Sequence, residues 1–217
     1  MLNTKPVHAI RGPWGVPIQI CASLLFLPLI LVDFSAEAYY VFYDLVFVAL
    51  LVGSILAHEL GHAWGSLIQN VPVHRITLHG GGGICERHHA SAYEQEFIVA
   101  MGPIVNLALW ATASLLAPLF APHSEMFWIL ETLAWINLFL AVFNLLPVQP
   151  LDGGKLLQLT LTRLMPDAAA TRITGGIGLG IALLWIPLML TSYLTLDLVL
   201  LFLPPIALHW RMLRQTA

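Results

Sequence analysis

Leu45-Val-Phe-Val-Ala-Leu-Leu-Val52 runs without a charge into Gly53-Ser-Ile-Leu-Ala-His58-Glu59-Leu60-Gly61-His62-Ala63-Trp64. The second stretch holds an H-E-x-x-H pattern, and the first is apolar sequence of the kind that enters a bilayer. On a helix, His58 and His62 lie one turn apart on the same face, so both imidazoles can reach one metal ion. Glu59 projects beside them, where a carboxylate can take a proton from a metal-activated water. In a soluble protein such a helix lines a water-filled cleft. Here the apolar approach predicts that the metal chemistry sits inside a membrane.

Composition points the same way. The chain has 217 residues, 59 % hydrophobic and only 10 % charged, with a mean hydropathy of +0.83. These values describe a polytopic membrane protein, in contact with membrane lipid over much of its surface. The length leaves room for about six spans of ~20 residues with short loops. No linker, charge block or fixed-period repeat marks off a second domain, so a single integral-membrane domain over residues 1–217 is expected. A net charge of −3 offers no basic surface for nucleic acid, and no nucleic-acid partner is expected. Cys21 and Cys85 lack metal-binding or redox spacing and do not suggest a disulfide framework.

The expected fold class is all-α, with about six transmembrane helices and a short membrane-associated β-hairpin after the second. The spans are placed at about 18–32, 40–69, 92–119, 127–146, 173–190 and 194–212. Lys5 and Arg11, the apolar run after them and Ala36-Glu37-Ala38 also resemble a secretory signal; we read the segment as a retained span. Val73-His-Arg-Ile-Thr-Leu-His79 is rich in β-branched residues and leads into Gly80 to Gly83, a strand-and-turn pattern. Ser91-Ala-Tyr-Glu94 is a capping box that opens the third helix. Pro147, Pro150, Gly153 and Gly154 stop the fourth, and a short helix follows over 155–164. Gly176-x-x-x-Gly180 in the fifth is a close-packing pattern.

Charge sets the topology. With six spans, the loops on the N-terminal side carry Lys5, Arg11, Arg75, Arg87, Lys155, Arg163, Arg172, Arg211 and Arg214, which are all 9 Lys and Arg residues of the chain. The opposite loops carry Asp33, Glu37 and Glu125. The positive-inside rule then predicts both termini in the cytoplasm, and a single small membrane chain read as having no cleavable targeting segment suggests a prokaryotic plasma (inner) membrane. His58 and His62 fall toward the cytoplasmic end of the second span. His74, His79, His88 and His89 read as solvated loop residues, and His209 as interfacial.

A catalytic zinc takes three protein ligands and keeps one open position. Asp44 lies about four turns before His58 on the same helix and cannot fold back to it. Asp33 and Asp197 fall on the far side, and Glu125 and Asp167 sit in loops without special backbone. Asp152 follows a helix-ending Pro/Gly turn on the cytoplasmic side. By spacing alone it reads equally well as a metal ligand or as the N-cap of the helix that follows.

Three ordered motifs occur together: His58-Glu59-Leu-Gly-His62, then Gly102-Pro103-x-x-Asn106, then Asn144-x-x-Pro147-x-x-x-Leu151-Asp152-Gly153. Their combination resembles the site-2 protease family of intramembrane metalloproteases, peptidase family M50. The resemblance covers a catalytic core at about residues 40–165. It implies His58, His62 and Asp152 as ligands of one zinc ion per chain, and Glu59 as the catalytic base. It implies Asn144 as a polar residue that orients substrate or stabilises an oxyanion. The flanking helices, about 18–32, 173–190 and 194–212, would be peripheral, the last two gating substrate access. Many members add a PDZ or a CBS domain, and neither is expected here. The expected partner is a transmembrane protein substrate. Two other readings stay open, a metal-binding transporter and a catalytically silent relative that retains membrane proteins; the intact Glu59 argues against the second.

Overall fold

Four helices are long and apolar enough to cross a membrane: Ala38–Ile68, Ala92–Leu119, Glu125–Asn144 and Asp167–Ser192. This holds for residues 6–196 and 202–215, which the computed structural model describes. The chain divides into two compact units, Met1–Ala141 and Val142–Ala217.

The first unit opens with strands β1 (Pro6–Arg11) and β2 (Pro17–Cys21), then a 3-10 turn and helix α1 (Phe26–Leu31). Helix α2 (Ala38–Ile68) follows, then β3 (Val73–His79), β4 (Gly82–Arg87), α3 (Ala92–Leu116) and α4 (Glu125–Asn144). Residues 18–32, expected as the first membrane span, are therefore not one helix. Apolar runs this short do not distinguish a buried strand from a helix. Pro17 and Pro28 lack the N–H groups a continuous helix uses. Ile18 and Ile20 instead pair in parallel with Ile76 and Leu78 of β3. What remains helical, α1, is 6 residues, about 9 Å of rise against a hydrocarbon core of about 30 Å.

Strands β3 and β4 pair antiparallel as a hairpin directly after α2. The sequence leads one to expect a two-stranded element; the structure shows a four-stranded sheet in the order β1-β2-β3-β4, with β4 at an edge. Its core is Val16, Ile18, Ile76 and Leu78, packed with Ala63 of α2. Ala63 is the neighbour of His62, so the sheet is seated on the turn of α2 that carries the H-E-x-x-H pattern.

The other face of that turn meets α3. A Cβ on Gly61 would lie 2.7 Å from the Met101 carbonyl oxygen, and one on Gly65 would lie 2.8 Å from Met101 Cγ. The two glycines, one turn apart, let the α3 backbone approach as side chains would not. Helix α3 starts at a complete capping box: Ser91 N–H donates to Glu94 Oε2 at 2.7 Å, and Glu94 N–H to Ser91 Oγ at 3.4 Å. At the other end of α2, the Asp33 backbone N–H donates to Asp44 Oδ2 at 3.1 Å. The Ser35 hydroxyl and N–H both donate to Asp33 Oδ1, and they hold its carboxyl below the usual range.

The second unit holds α5 (Asp152–Thr162), α6 (Asp167–Leu196) and α7 (Ile206–Leu213). Of the sixth expected span, residues 197–201 lie outside the described residues, and the helix after them, α7, is 8 residues long. Helices α6 and α7 pack through Gly175 and Gly178, whose hypothetical Cβ atoms would run into the Leu213 backbone and the His209 ring. The expected Gly176/Gly180 pair does not do this: nothing lies within 4 Å of a Cβ on Gly180. His209, expected at an interface, is fully buried, with Nε2 3.1 Å from the Gln149 carbonyl.

Ser91→Ala should lower stability by about 1 kcal/mol. The measurement is the midpoint of thermal unfolding in detergent; an unchanged midpoint would show that the capping box does not hold the start of α3.

Candidate metal centre

Helix α2 presents His58 and His62 one turn apart, with ring centroids 4.7 Å apart and planes at 88°. Both are buried, as is Glu59 between them. His58 Nδ1 is 2.5 Å from Asn106 Oδ1, and His62 Nδ1 is 2.9 Å from the Ile98 carbonyl oxygen. A carbonyl oxygen only accepts, so in both rings the proton sits on Nδ1 and the Nε2 lone pair points the other way. The two Nε2 atoms converge to 3.1 Å. Two lone pairs at that distance repel each other unless a proton or a cation lies between them. With both ring protons committed to carbonyl acceptors, a divalent cation suits the pair, and a hydrogen-bonded second nitrogen is the usual arrangement of a metal-bound histidine.

Helix α3 makes the room. A Cβ on Gly102 would lie 2.5 Å from His62 Nε2 and Cε1 and 2.7 Å from His58 Nε2. Only a residue without a side chain leaves both nitrogens accessible. Pro103 next to it has no N–H to donate to the Val99 carbonyl, which loosens the α3 ladder one turn before Asn106.

Glu59 faces the sheet. A Cβ on Gly83 of β4 would lie 2.8 Å from Glu59 Cδ and Oε1. The glycine run of the hairpin thus has a specific use: at position 83 it lets an edge strand pass beside the carboxylate. At the tip of the hairpin, Gly81 N–H donates to His79 Nδ1 at 3.1 Å, and the His74 and His88 rings stack at 4.3 Å. These loop histidines serve the hairpin itself.

In the second unit, Asp152 is the first residue of α5 and is buried. Leu151 occupies the N-cap and makes no side-chain cap bond. That removes the simple capping explanation for Asp152. Its Oδ1 lies 3.8 Å from Lys155 Nζ. Gly153 and Gly154 are packed so tightly on the Leu145–Gln149 backbone that neither could carry a Cβ. Asn144 closes α4 and is half-buried. His58 and His62 are thus buried in the first unit, and Asp152 is buried in the second.

Several contributors were not visible as such in the sequence. Asn137, Ser54 and the link from Asn106 to His58 lie in apolar spans, where carboxylates are the first candidates for ligands. Amides buried in a membrane helix are themselves expensive, and that cost is the signal that singles out Asn106 and Asn137.

The family model for peptidase family M50 matches residues 120–186. A zinc metalloprotease of Methanocaldococcus jannaschii is 26 % identical over 186 residues, covering 86 % of this chain and 54 % of that one. Stage IV sporulation protein FB of Bacillus subtilis is 34 % identical over 122 residues, covering 55 % and 41 %. Among solved structures, the site-2 protease from Methanocaldococcus jannaschii superposes with a TM-score of 0.69 at 25 % identity over 97 % of both chains. These matches make the chain similar to the site-2 proteases. It spans about half the length of the metalloprotease and sporulation relatives it matches. The family's metal is zinc, and the two buried imidazole nitrogens of the first unit are donors that suit it.

Gly102→Ala should cost the protein its zinc by pushing the imidazoles apart, with the helices still formed. Metal analysis of purified protein, paired with circular dichroism, checks this; full zinc occupancy in the variant would contradict the reading of Gly102.

Proposed function

We propose that the chain is an intramembrane zinc metalloendopeptidase that hydrolyses peptide bonds in or near transmembrane segments of membrane-anchored proteins, as in regulated intramembrane proteolysis. The observation that carries this reading is the convergence of His58 and His62 Nε2 at 3.1 Å beside a buried Glu59, on a helix long and apolar enough to cross a bilayer. We read the whole chain as one integral-membrane protease domain with its core at residues 40–165.

On the family's motif pattern, His58, His62 and Asp152 would hold the zinc. When bound, zinc supplies Lewis acidity, activating a water molecule and polarising the peptide carbonyl under attack. Glu59 takes the proton from that water and later returns it to the leaving amine, which keeps protons balanced through the cycle. Asn144 carries an amide suited to orienting substrate or donating to the developing oxyanion. A peptide bond in a helix has its carbonyl already hydrogen-bonded, so a transmembrane substrate has to unwind before attack. Edge strand β4 passes beside Glu59 at Gly83, and a substrate added to that edge as a further strand would be held extended next to the base. The charge asymmetry supports an inner-membrane protein with both termini cytoplasmic.

Co-expression with single-span membrane proteins tests the activity. Glu59→Gln should reduce cleavage by about 100-fold or more while zinc content is unchanged. Cleavage at the wild-type rate in that variant would sink the mechanism. Gly83→Ala, which drives a methyl group into the Glu59 carboxylate, should likewise lose cleavage and keep zinc. A Gly83→Ala protein as active as wild type would show that β4 does not position Glu59.

A further inference from the structure

The hydrogen bond that fixes His58 depends on a side chain that can face either way. Asn106 shows its Oδ1 to the imidazole, but a rotated amide would show Nδ2, and the two ends have nearly the same shape. With Nδ2 facing the ring, His58 Nδ1 would accept, its proton would move to Nε2, and a proton would occupy the position the metal needs. Something has to set the direction.

The structure supplies a chain of donors that does so. Asn106 Nδ2 donates to Asn137 Oδ1 at 2.7 Å and lies 3.4 Å from the Ser54 carbonyl. Asn137 Nδ2 donates in turn to the Leu133 carbonyl at 2.8 Å and to Ser54 Oγ at 2.9 Å. A backbone carbonyl cannot donate, so Leu133 fixes which end of the Asn137 amide faces it. That leaves Oδ1 for Asn106, which fixes the Asn106 amide, which fixes the His58 proton on Nδ1. Asn106 and Asn137 are both fully buried, and Ser54 is buried with them. Burying two amides in an apolar helix pair is costly unless their bonds are made, and here they form one directed run from α4 through α3 to α2. His62 needs no such run because it donates straight to the Ile98 carbonyl.

We propose that Asn137 is a positioning residue for the metal centre: through Asn106 it holds His58 in the Nδ1-protonated tautomer and so turns the Nε2 lone pair toward the zinc. This rests on the zinc-site reading above. It assigns α4, which carries no ligand to the ion within the first unit, a direct part in metal affinity.

The test uses the full chain in detergent, with ring-15N-labelled histidine and the metal removed. In wild type, the His58 nitrogen shifts should report a proton on Nδ1. In Asn137→Leu, they should move toward the Nε2-protonated form, while those of His62 stay fixed as an internal control. Zinc affinity, measured by competition with a chromophoric chelator, should fall by about 10- to 100-fold. In an Asn106→Asp background either carboxyl oxygen accepts from His58, so adding Asn137→Leu should cost no further affinity. Should Asn137→Leu fail to fold, Asn137→Ala is put through the same measurements. A variant that loses thermal stability but keeps the wild-type His58 tautomer and zinc affinity overturns the proposal. So does an Asn137 effect of equal size in the Asn106→Asp background, which would mark Asn137 as a packing residue. A wild-type protein that takes up no zinc would instead overturn the zinc-site reading.

Discussion

Two imidazole lone pairs facing each other at 3.1 Å inside an apolar helix pair are an unfavourable arrangement without a cation, and the first unit is built so that they have no alternative. Each ring has its proton drawn to the far nitrogen by a carbonyl oxygen, from Asn106 in one case and Ile98 in the other. Both acceptors come from α3. The close packing of α2 on α3 is therefore what turns the two Nε2 atoms toward each other; α2 on its own supplies two histidines with no fixed orientation. This explains why the small residues cluster where they do. Gly61 and Gly65 admit the α3 backbone, and Gly102 withholds a methyl group from the space the two nitrogens share.

The Glu59 carboxylate is placed by a different element. Glu59 is on the same turn of α2 but projects toward the sheet, where β4 runs past it at Gly83. The sheet is anchored under that turn by Ile18, Ile76 and Leu78 packing with Ala63. One helical turn is thus held on one side by a helix that orients the two imidazoles and on another by a sheet that passes the Glu59 carboxylate. A substrate strand laid along β4 would inherit that placement.

Charged side chains are expensive within a span, and the chain largely does without them there. It uses a neutral side-chain amide behind His58 and a backbone carbonyl behind His62, where a carboxylate is another common partner of a metal-bound histidine. An amide avoids the cost of an ion but has two dissimilar ends, and the run through Asn137 to the Leu133 carbonyl resolves the ambiguity with backbone polarity. The first expected span shows a related economy in reverse. Residues 18–32 are apolar enough for a helix, yet β2 finds hydrogen-bond partners in β3, which satisfies its backbone as well as a helix would.

The sequence by itself determined that this is a membrane protein, that His58, Glu59 and His62 share one helical turn, where α2, α3 and α4 run to within a few residues, and the central part of α6. Those properties follow from local spacing and from composition, which a linear chain carries in full. It also held Asp152, although as one of two readings, because an N-cap and a ligand have the same local signature. Only the tertiary structure showed Leu151 at the cap position, broke the first expected span into a strand, a 3-10 turn and a short helix, and joined β1 and β2 to the hairpin. It also moved the close-packed glycines of α6 to Gly175 and Gly178 and revealed the path from Leu133 to His58. All of these but the cap depend on a partner far away in sequence: Ile18 on Ile76, Gly178 on His209, Asn137 on Asn106. No window of neighbouring residues contains the atom that decides them.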